Sequence, residues 1–80
     1  MRMLEPNAKS EIHVLQLYLT QREAEQVKSE LERLLRDPEA NDHFHILSED
    51  GRRDLSCSIV TSSKLAAGGY TQLERKLLAD

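Results

Sequence analysis

The pair Asp50-Gly51 decides more about this fold than any other part of the sequence, because two strand-like segments flank it. His43–Leu47 and Arg53–Thr61 both alternate apolar and polar side chains, and an Asp-Gly pair suits the positive φ angles of a type I′ two-residue turn. Such a turn fixes the antiparallel register of the hairpin. The predicted pairs are Glu49 with Arg52, Leu47 with Asp54, Ile46 with Leu55, His45 with Ser56, and Phe44 with Cys57.

This register sorts the hairpin side chains into an apolar face and a polar face. The apolar face carries Phe44, Ile46, Leu55, Cys57 and Ile59. The opposite face carries His43, His45, Ser56 and Ser58. An antiparallel hairpin with one side against a core has this polar-out pattern.

A long helix is predicted to begin at residue 20. Thr20 and Glu23 have the T-x-x-E spacing of a capping box, in which each side chain bonds a backbone N–H of the first helical turn. Asp37-Pro38 ends the helix, since the proline ring disfavours the α conformation of the preceding residue. Between these signals lies an apolar stripe at helical spacing, which is expected to pack on the sheet. It consists of Ala24, Val27, Leu31, Leu34 and Leu35.

The segment Glu11–Leu19, with the sequence EIHVLQLYL, is rich in Leu, Ile, Val and Tyr and predicts a first strand. Both of its faces are largely apolar. One face shows Leu15, Leu17 and Leu19, and the other shows Ile12, Val14, Gln16 and Tyr18. Such a strand is covered on both sides, or is half covered by another copy of the protein.

A short last helix is predicted after Gly68-Gly69, which interrupt any continuous helix. Thr71 and Glu74 repeat the capping-box spacing. The apolar stripe of this helix is Tyr70, Leu73, Leu77 and Leu78. So short a helix is stable only when docked, and two positions stay open for it: the free face of its own sheet, or a second subunit.

Together these elements predict an α+β fold with the order β-α-β-β-α. A right-handed crossover brings the second strand parallel to the first, and the third strand inserts between them. The result is a three-stranded antiparallel sheet of order 1-3-2, with the long helix on one face. We expect residues 1–80 to form a single domain, in which residues 1–10 are a leader that is frayed or loosely docked.

Composition argues against several classes of partner. The net charge is -3, and the 11 Lys and Arg are interleaved with 14 Asp and Glu, which disfavours nucleic acid. No apolar run has the length of a signal peptide core or a transmembrane helix, so no membrane association is expected. Cys57 is the only cysteine, which excludes an intrachain disulfide and favours a cytoplasmic location.

The strongest candidates for chemistry are His43 and His45, because two imidazoles on one strand face can chelate a divalent metal. Zinc sites need three or four protein ligands, however, and the register turns Cys57 to the opposite face. The neighbouring Ser56 and Ser58 are poor zinc ligands. The sequence also lacks a G-x-S-x-G motif and a P-loop. We therefore expect no enzyme, no catalytic residue, no metal and no cofactor.

The predicted sheet leaves one face that mixes apolar and polar side chains, which is the composition of a docking surface. This expected interaction face comprises Ile12, Val14, Tyr18, His43, His45 and Leu47. The sequence thus favours a small protein–protein interaction or regulatory domain whose partner is another protein or a second copy in a homodimer. Two alternatives stay open: the last helix covers this face within one monomer, or the histidines bind a metal or ligand.

Several capping, helix-stop and turn signals follow one another along the chain: Thr20, Leu34-Leu35, Asp37-Pro38, His43-x-His45 and Asp50-Gly51. The run, which covers about half of the chain, resembles small bacterial α+β proteins of uncharacterised function, some of them toxin-immunity proteins. The resemblance implies a binding role rather than catalysis. An acidic balance would suit an inhibitor of a basic toxin.

Overall fold

A computed structural model of the chain describes residues 1–79. Its elements are β1 (Met3–Glu5), β2 (Ser10–Ile12), α1 (Gln21–Leu35), β3 (Phe44–Leu47), β4 (Asp54–Cys57), α2 (Ser62–Ala67) and α3 (Gln72–Leu78). Within these residues the strands form two separate antiparallel hairpins, β1–β2 and β3–β4. The α+β class and the single long helix are confirmed, whereas the predicted three-stranded sheet of order 1-3-2 is wrong.

The β3–β4 hairpin has the predicted register, from Phe44 opposite Cys57 to Leu47 opposite Asp54. Its turn differs from the predicted type I′ turn, which requires a positive φ at both central residues. Gly51 has a positive φ, +71°, whereas Asp50 does not. The Gly51 N–H donates to the Ser48 carbonyl at 2.8 Å.

Six residues, 48–53, join β3 and β4, and the pair formed by Ser48 and Arg53 leaves a four-residue loop, 49–52, between them. The Ser48 N–H donates to the Arg53 carbonyl at 2.9 Å and closes the loop. The Asp50 carboxylate accepts from the Ser48 hydroxyl at 2.5 Å and from the Arg52 N–H at 3.0 Å. Four loop residues bring the same strand positions opposite each other as the predicted tight turn, so the register is unchanged.

The helix α1 begins and ends where the sequence predicts. The Thr20 hydroxyl accepts from the Glu23 N–H at 3.1 Å, and the Glu23 carboxylate accepts from the Thr20 N–H at 2.9 Å, which completes the capping box. The helix stops just before the Asp37-Pro38 signal. Its stripe is covered on one side: Leu34 is buried and Val27 half-buried.

The core lies between α1 and the β3–β4 hairpin and is small. Among residues 1–79 the buried apolar side chains are Leu34, Phe44 and Ile46. Half-buried Val27, Leu55, Cys57 and Ile59 surround them. The Cα radius of gyration is 13.5 Å, compared with about 11.6 Å expected for a compact chain of this length. The chain is flat, with extents of 36 × 31 × 18 Å.

The N-terminal part departs furthest from the predicted strand Glu11–Leu19. Its first residues, in β2, pair with Met3–Glu5, which lies in the expected leader, and residues 13–20 form neither helix nor strand. The four-residue loop Pro6–Lys9 joins the two strands, with Lys9 at a φ of +54°. Closing so short a loop costs less chain entropy than bringing residues 11–19 to the distant β4, which explains why the local partner is preferred.

The C-terminal part holds one predicted helix and one that the sequence did not predict. Thr71 and Glu74 cap α3 with a second complete capping box, as predicted. Thr61, predicted as the last strand residue, instead caps α2, and Gly68 ends α2 in the left-handed region. β4 stops at Cys57 because β3 begins at the facing residue, Phe44. None of the helices in residues 1–79 has the length and apolar character needed to cross a membrane.

Candidate interaction surfaces

The expected interaction face is divided between different parts of the structure. Ile12 lies at the end of β2, and Val14 and Tyr18 lie in the irregular segment that follows. The β3–β4 hairpin carries the other three residues on its exposed face: His43, His45 and Leu47. The division follows from the two separate hairpins, because the expected face required one continuous sheet.

His43 and His45 lie together, as the register predicts. Their rings meet edge to face with centroids 4.9 Å apart. The Nδ1 atom of His45 lies 3.1 Å from the Oδ2 atom of Asp54, whose side chain is also exposed. In the described part of the chain, no group of three or more His, Cys, Asp or Glu side chains is placed to hold a metal ion. Burial raises the pKa of the Cys57 thiol, which is less reactive for that reason.

A polar cavity of about 320 Å³ lies over this exposed face of the hairpin. Lys64 of α2, Gly69 and Tyr70 between the helices, and Glu74 of α3 also line it, so the C-terminal part of the chain lies beside the exposed face of the hairpin. Lys64 is fixed there by donating to the Ala40 carbonyl at 3.2 Å. Among the lining side chains are His43, His45, Ser56, Ser58, Lys64, Tyr70 and Glu74.

Polar contacts bind α1 to the hairpin at the edge of β3. The buried Glu23 carboxylate accepts from the Glu49 N–H at 2.8 Å, in addition to its role in the capping box. Hydrogen bonds from the Thr20 and Glu49 N–H groups hold the pKa of Glu23 below its ordinary value. Near the other end of the helix, Arg33 donates to Asp42 at 2.5 Å and to the His43 carbonyl at 3.2 Å. The capping pattern predicted the first role of Glu23 but carries no signal for a contact 26 residues away.

One exposed apolar surface is the segment Val14–Leu19, here called the apolar segment. Its apolar side chains are exposed to the following extents: Val14 82%, Leu15 51%, Leu17 51%, Tyr18 83% and Leu19 39%. Soluble monomers rarely expose so continuous an apolar run, and larger patches of this kind usually mark docking sites.

A second exposed apolar surface lies on α1 and consists of Ala24, Leu31 and Leu35, here called the uncovered helix flank. Leu31 is 40% exposed and Leu35 64% exposed. At 100° per residue these three positions lie within about 40° of each other around the helix axis. They lie on one side of the core-facing residues Val27 and Leu34, and Arg33 lies on the other side. Because Arg33 binds at the outer edge of β3, the uncovered helix flank faces the β4 side of the hairpin. The sequence included these residues in the predicted stripe but did not indicate which part of it would stay exposed.

The described part of the chain thus offers these two apolar surfaces, the polar cavity, and an open groove of about 510 Å³ between α1 and the edge of β3. The groove is lined by Arg22, Glu25, Gln26, Ser29, Glu30, His45, Ile46 and Leu47. The apolar surfaces suit a protein partner, and the cavity suits a small polar molecule. Comparisons of the chain with protein-family models, with curated proteins and with solved structures found no match.

Proposed function

We propose that this chain is a non-enzymatic protein–protein interaction module that associates with itself, and that association completes its core. The observation that carries the proposal is the accessible surface of 6503 Å². A folded monomer of 9.2 kDa exposes about 4,900 Å². The excess of about 1,600 Å² lies within the area, about 1,000–2,500 Å² per partner, that obligate homodimers bury.

The small core supports the same proposal on energetic grounds. Full burial of one apolar side chain is worth about 1.5–3 kcal/mol, whereas ordering the backbone of one residue costs about 1–2 kcal/mol. Leu34, Phe44 and Ile46 alone are a modest source of stability for an ordered chain of this length. Burial of the exposed leucines against a second copy adds the missing apolar contact.

Size-exclusion chromatography with light scattering tests the proposal. The expected mass at high micromolar concentration is twice the 9.2 kDa chain mass, and it falls on dilution. Leu35→Glu places a charge on the uncovered helix flank and should give monomers. Gln26→Glu adds the same charge to an exposed position on another side of α1 and should leave the dimer intact. A wild-type chain that stays monomeric near millimolar concentration and unfolds cooperatively contradicts the proposal.

A further inference from the structure

We infer that self-association occurs by strand exchange. The apolar segment of one copy adds as a third strand to the free edge of β4 in a second copy, and its leucines cover the uncovered helix flank there. This inference rests on the proposed self-association and names the contact that produces it.

β4 has an edge that is open to a further strand. The bond from the Ser48 N–H to the Arg53 carbonyl identifies a hydrogen-bonded pair, and such pairs alternate along an antiparallel ladder. The backbone groups of Asp54 and Ser56 therefore point away from β3, toward the outer edge of β4. Within residues 1–79 no other backbone or side chain bonds them. An open strand edge is a ready template for pairing with another chain.

The alternation also accounts for a contact at the other edge of the hairpin. His43, directly before β3, points outward by the same rule, and its carbonyl accepts from Arg33 of α1. The β3 edge thus has polar helix contacts at its end, whereas the β4 edge lies beside the uncovered helix flank. The outward backbone groups of His45 and Leu47 on β3 have no hydrogen-bond partner within residues 1–79 either, but the side of α1 along that edge is polar. Of the two edges, the one beside the uncovered helix flank is β4.

The apolar segment has the pattern that this edge requires. In an extended conformation its side chains alternate, so that Leu15, Leu17 and Leu19 share one face. In the register that turns this face inward, a third strand beside β4 places the leucines next to half-buried Leu55 and Cys57. The leucines then lie over Leu31 and Leu35 of α1, so that exposed leucines cover exposed leucines.

The connection to α1 indicates that the strand comes from a second copy. Thr20 caps the helix directly after Leu19, so no loop residue separates the apolar segment from α1. A strand that folds back onto the helix following it needs a connection of about 2–6 residues. Taking those residues from the segment would remove Leu17 and Leu19 from the strand. Pairing with a second copy keeps the whole segment extended.

The area is consistent with a two-fold exchange. In a symmetric dimer each copy donates one apolar segment and accepts another, so both exposed apolar surfaces are covered in both copies. The chain exposes about 1,600 Å² more than a compact monomer of its mass, and this excess is sufficient for a stable dimer interface, which buries about 800 Å² or more per partner.

Cross-linking between mixed chains tests the exchange. In a Cys57→Ser background, an unlabelled chain carrying Leu17→Cys is mixed with a ¹⁵N-labelled chain carrying Leu31→Cys and treated with a short bismaleimide. Mass spectrometry should find the 17–31 link between labelled and unlabelled chains. Ser29→Cys, on another side of the same helix, is the matched control, and its yield should be lower by about tenfold because yield follows effective concentration. Leu15→Cys with Leu35→Cys is the second pair if one variant fails to fold.

The outcomes separate this inference from the proposed function. A dimeric mass with the 17–31 link between chains supports both. A dimeric mass with equal yields at positions 29 and 31, or with no link, overturns strand exchange and leaves self-association standing. A monomeric mass, with the link formed inside a single chain carrying both cysteines, overturns both.

Discussion

Leu34 and Leu35 are adjacent leucines that the structure places in opposite environments, so alanine at each position gives a quantitative test. Leu34 is 5% exposed and contacts the core, whereas Leu35 is 64% exposed. Leu34→Ala should lower the free energy of unfolding by about 3 kcal/mol, within the range for buried leucines. In an isolated chain Leu35→Ala should cost about 0.5–1 kcal/mol, because roughly a third of a full burial worth about 1.5–3 kcal/mol is present.

Association changes the expected cost at position 35 and not at position 34. If a second copy covers the uncovered helix flank, Leu35 becomes buried and Leu35→Ala should cost about 2–3 kcal/mol per chain. Urea denaturation followed by circular dichroism, at a concentration where light scattering gives the dimer mass, measures both losses. Gln26→Ala, at an exposed position of the same helix, should stay within about 0.5 kcal/mol of wild type. A loss below about 1 kcal/mol for Leu35→Ala in the dimer would refute burial of this flank.

Three further predictions concern the elements that hold the chain in this arrangement. Thr20→Ala removes the cap of α1 and should lower the free energy of unfolding by about 1 kcal/mol; an unchanged urea midpoint would count against it. Gly51→Ala places a Cβ at a φ of +71° and should cost about 1–2 kcal/mol, whereas Gly69→Ala, without a positive φ, should cost less in the same denaturation assay. Because the pKa of Glu23 is lowered, its contribution to stability is complete above its unfolded pKa of about 4.3 and is lost as the pH falls through the native value. The melting temperature should therefore fall on acidification, less steeply in Glu23→Gln, and identical slopes would contradict this role.

Local signals predicted the parts of the fold that local contacts determine. The capping box at Thr20 and Glu23 is present, and so is the hairpin register that places Phe44 opposite Cys57. Both depend on residues close in sequence. The exact turn was wrong because the Asp50 side chain bonds the loop backbone, and type I′ preferences do not include that competition.

The placement of Glu11–Leu19 could not be read from its composition. Its apolar pattern indicates a strand equally well in either hairpin, and the choice of partner depends on loop closure and on α1. The same limit applies to the expected interaction face. Ile12 and His45 share a face only if one sheet contains both, and the two hairpins are separate. The apolar pattern on both faces of the segment predicted coverage on both sides or by another copy, and in the structure the apolar side chains of Val14–Leu19 are exposed.

Hydrogen exchange at the backbone amides of Val14–Leu19 tests the central claim most directly, because that claim is that association covers this segment. Exchange is followed by NMR at low micromolar and near-millimolar concentrations. Strand addition should protect alternate amides of the segment at high concentration, and dilution should remove that protection. Amides that exchange at the unprotected rate at both concentrations, in a chain whose α1 amides are protected, would contradict the claim.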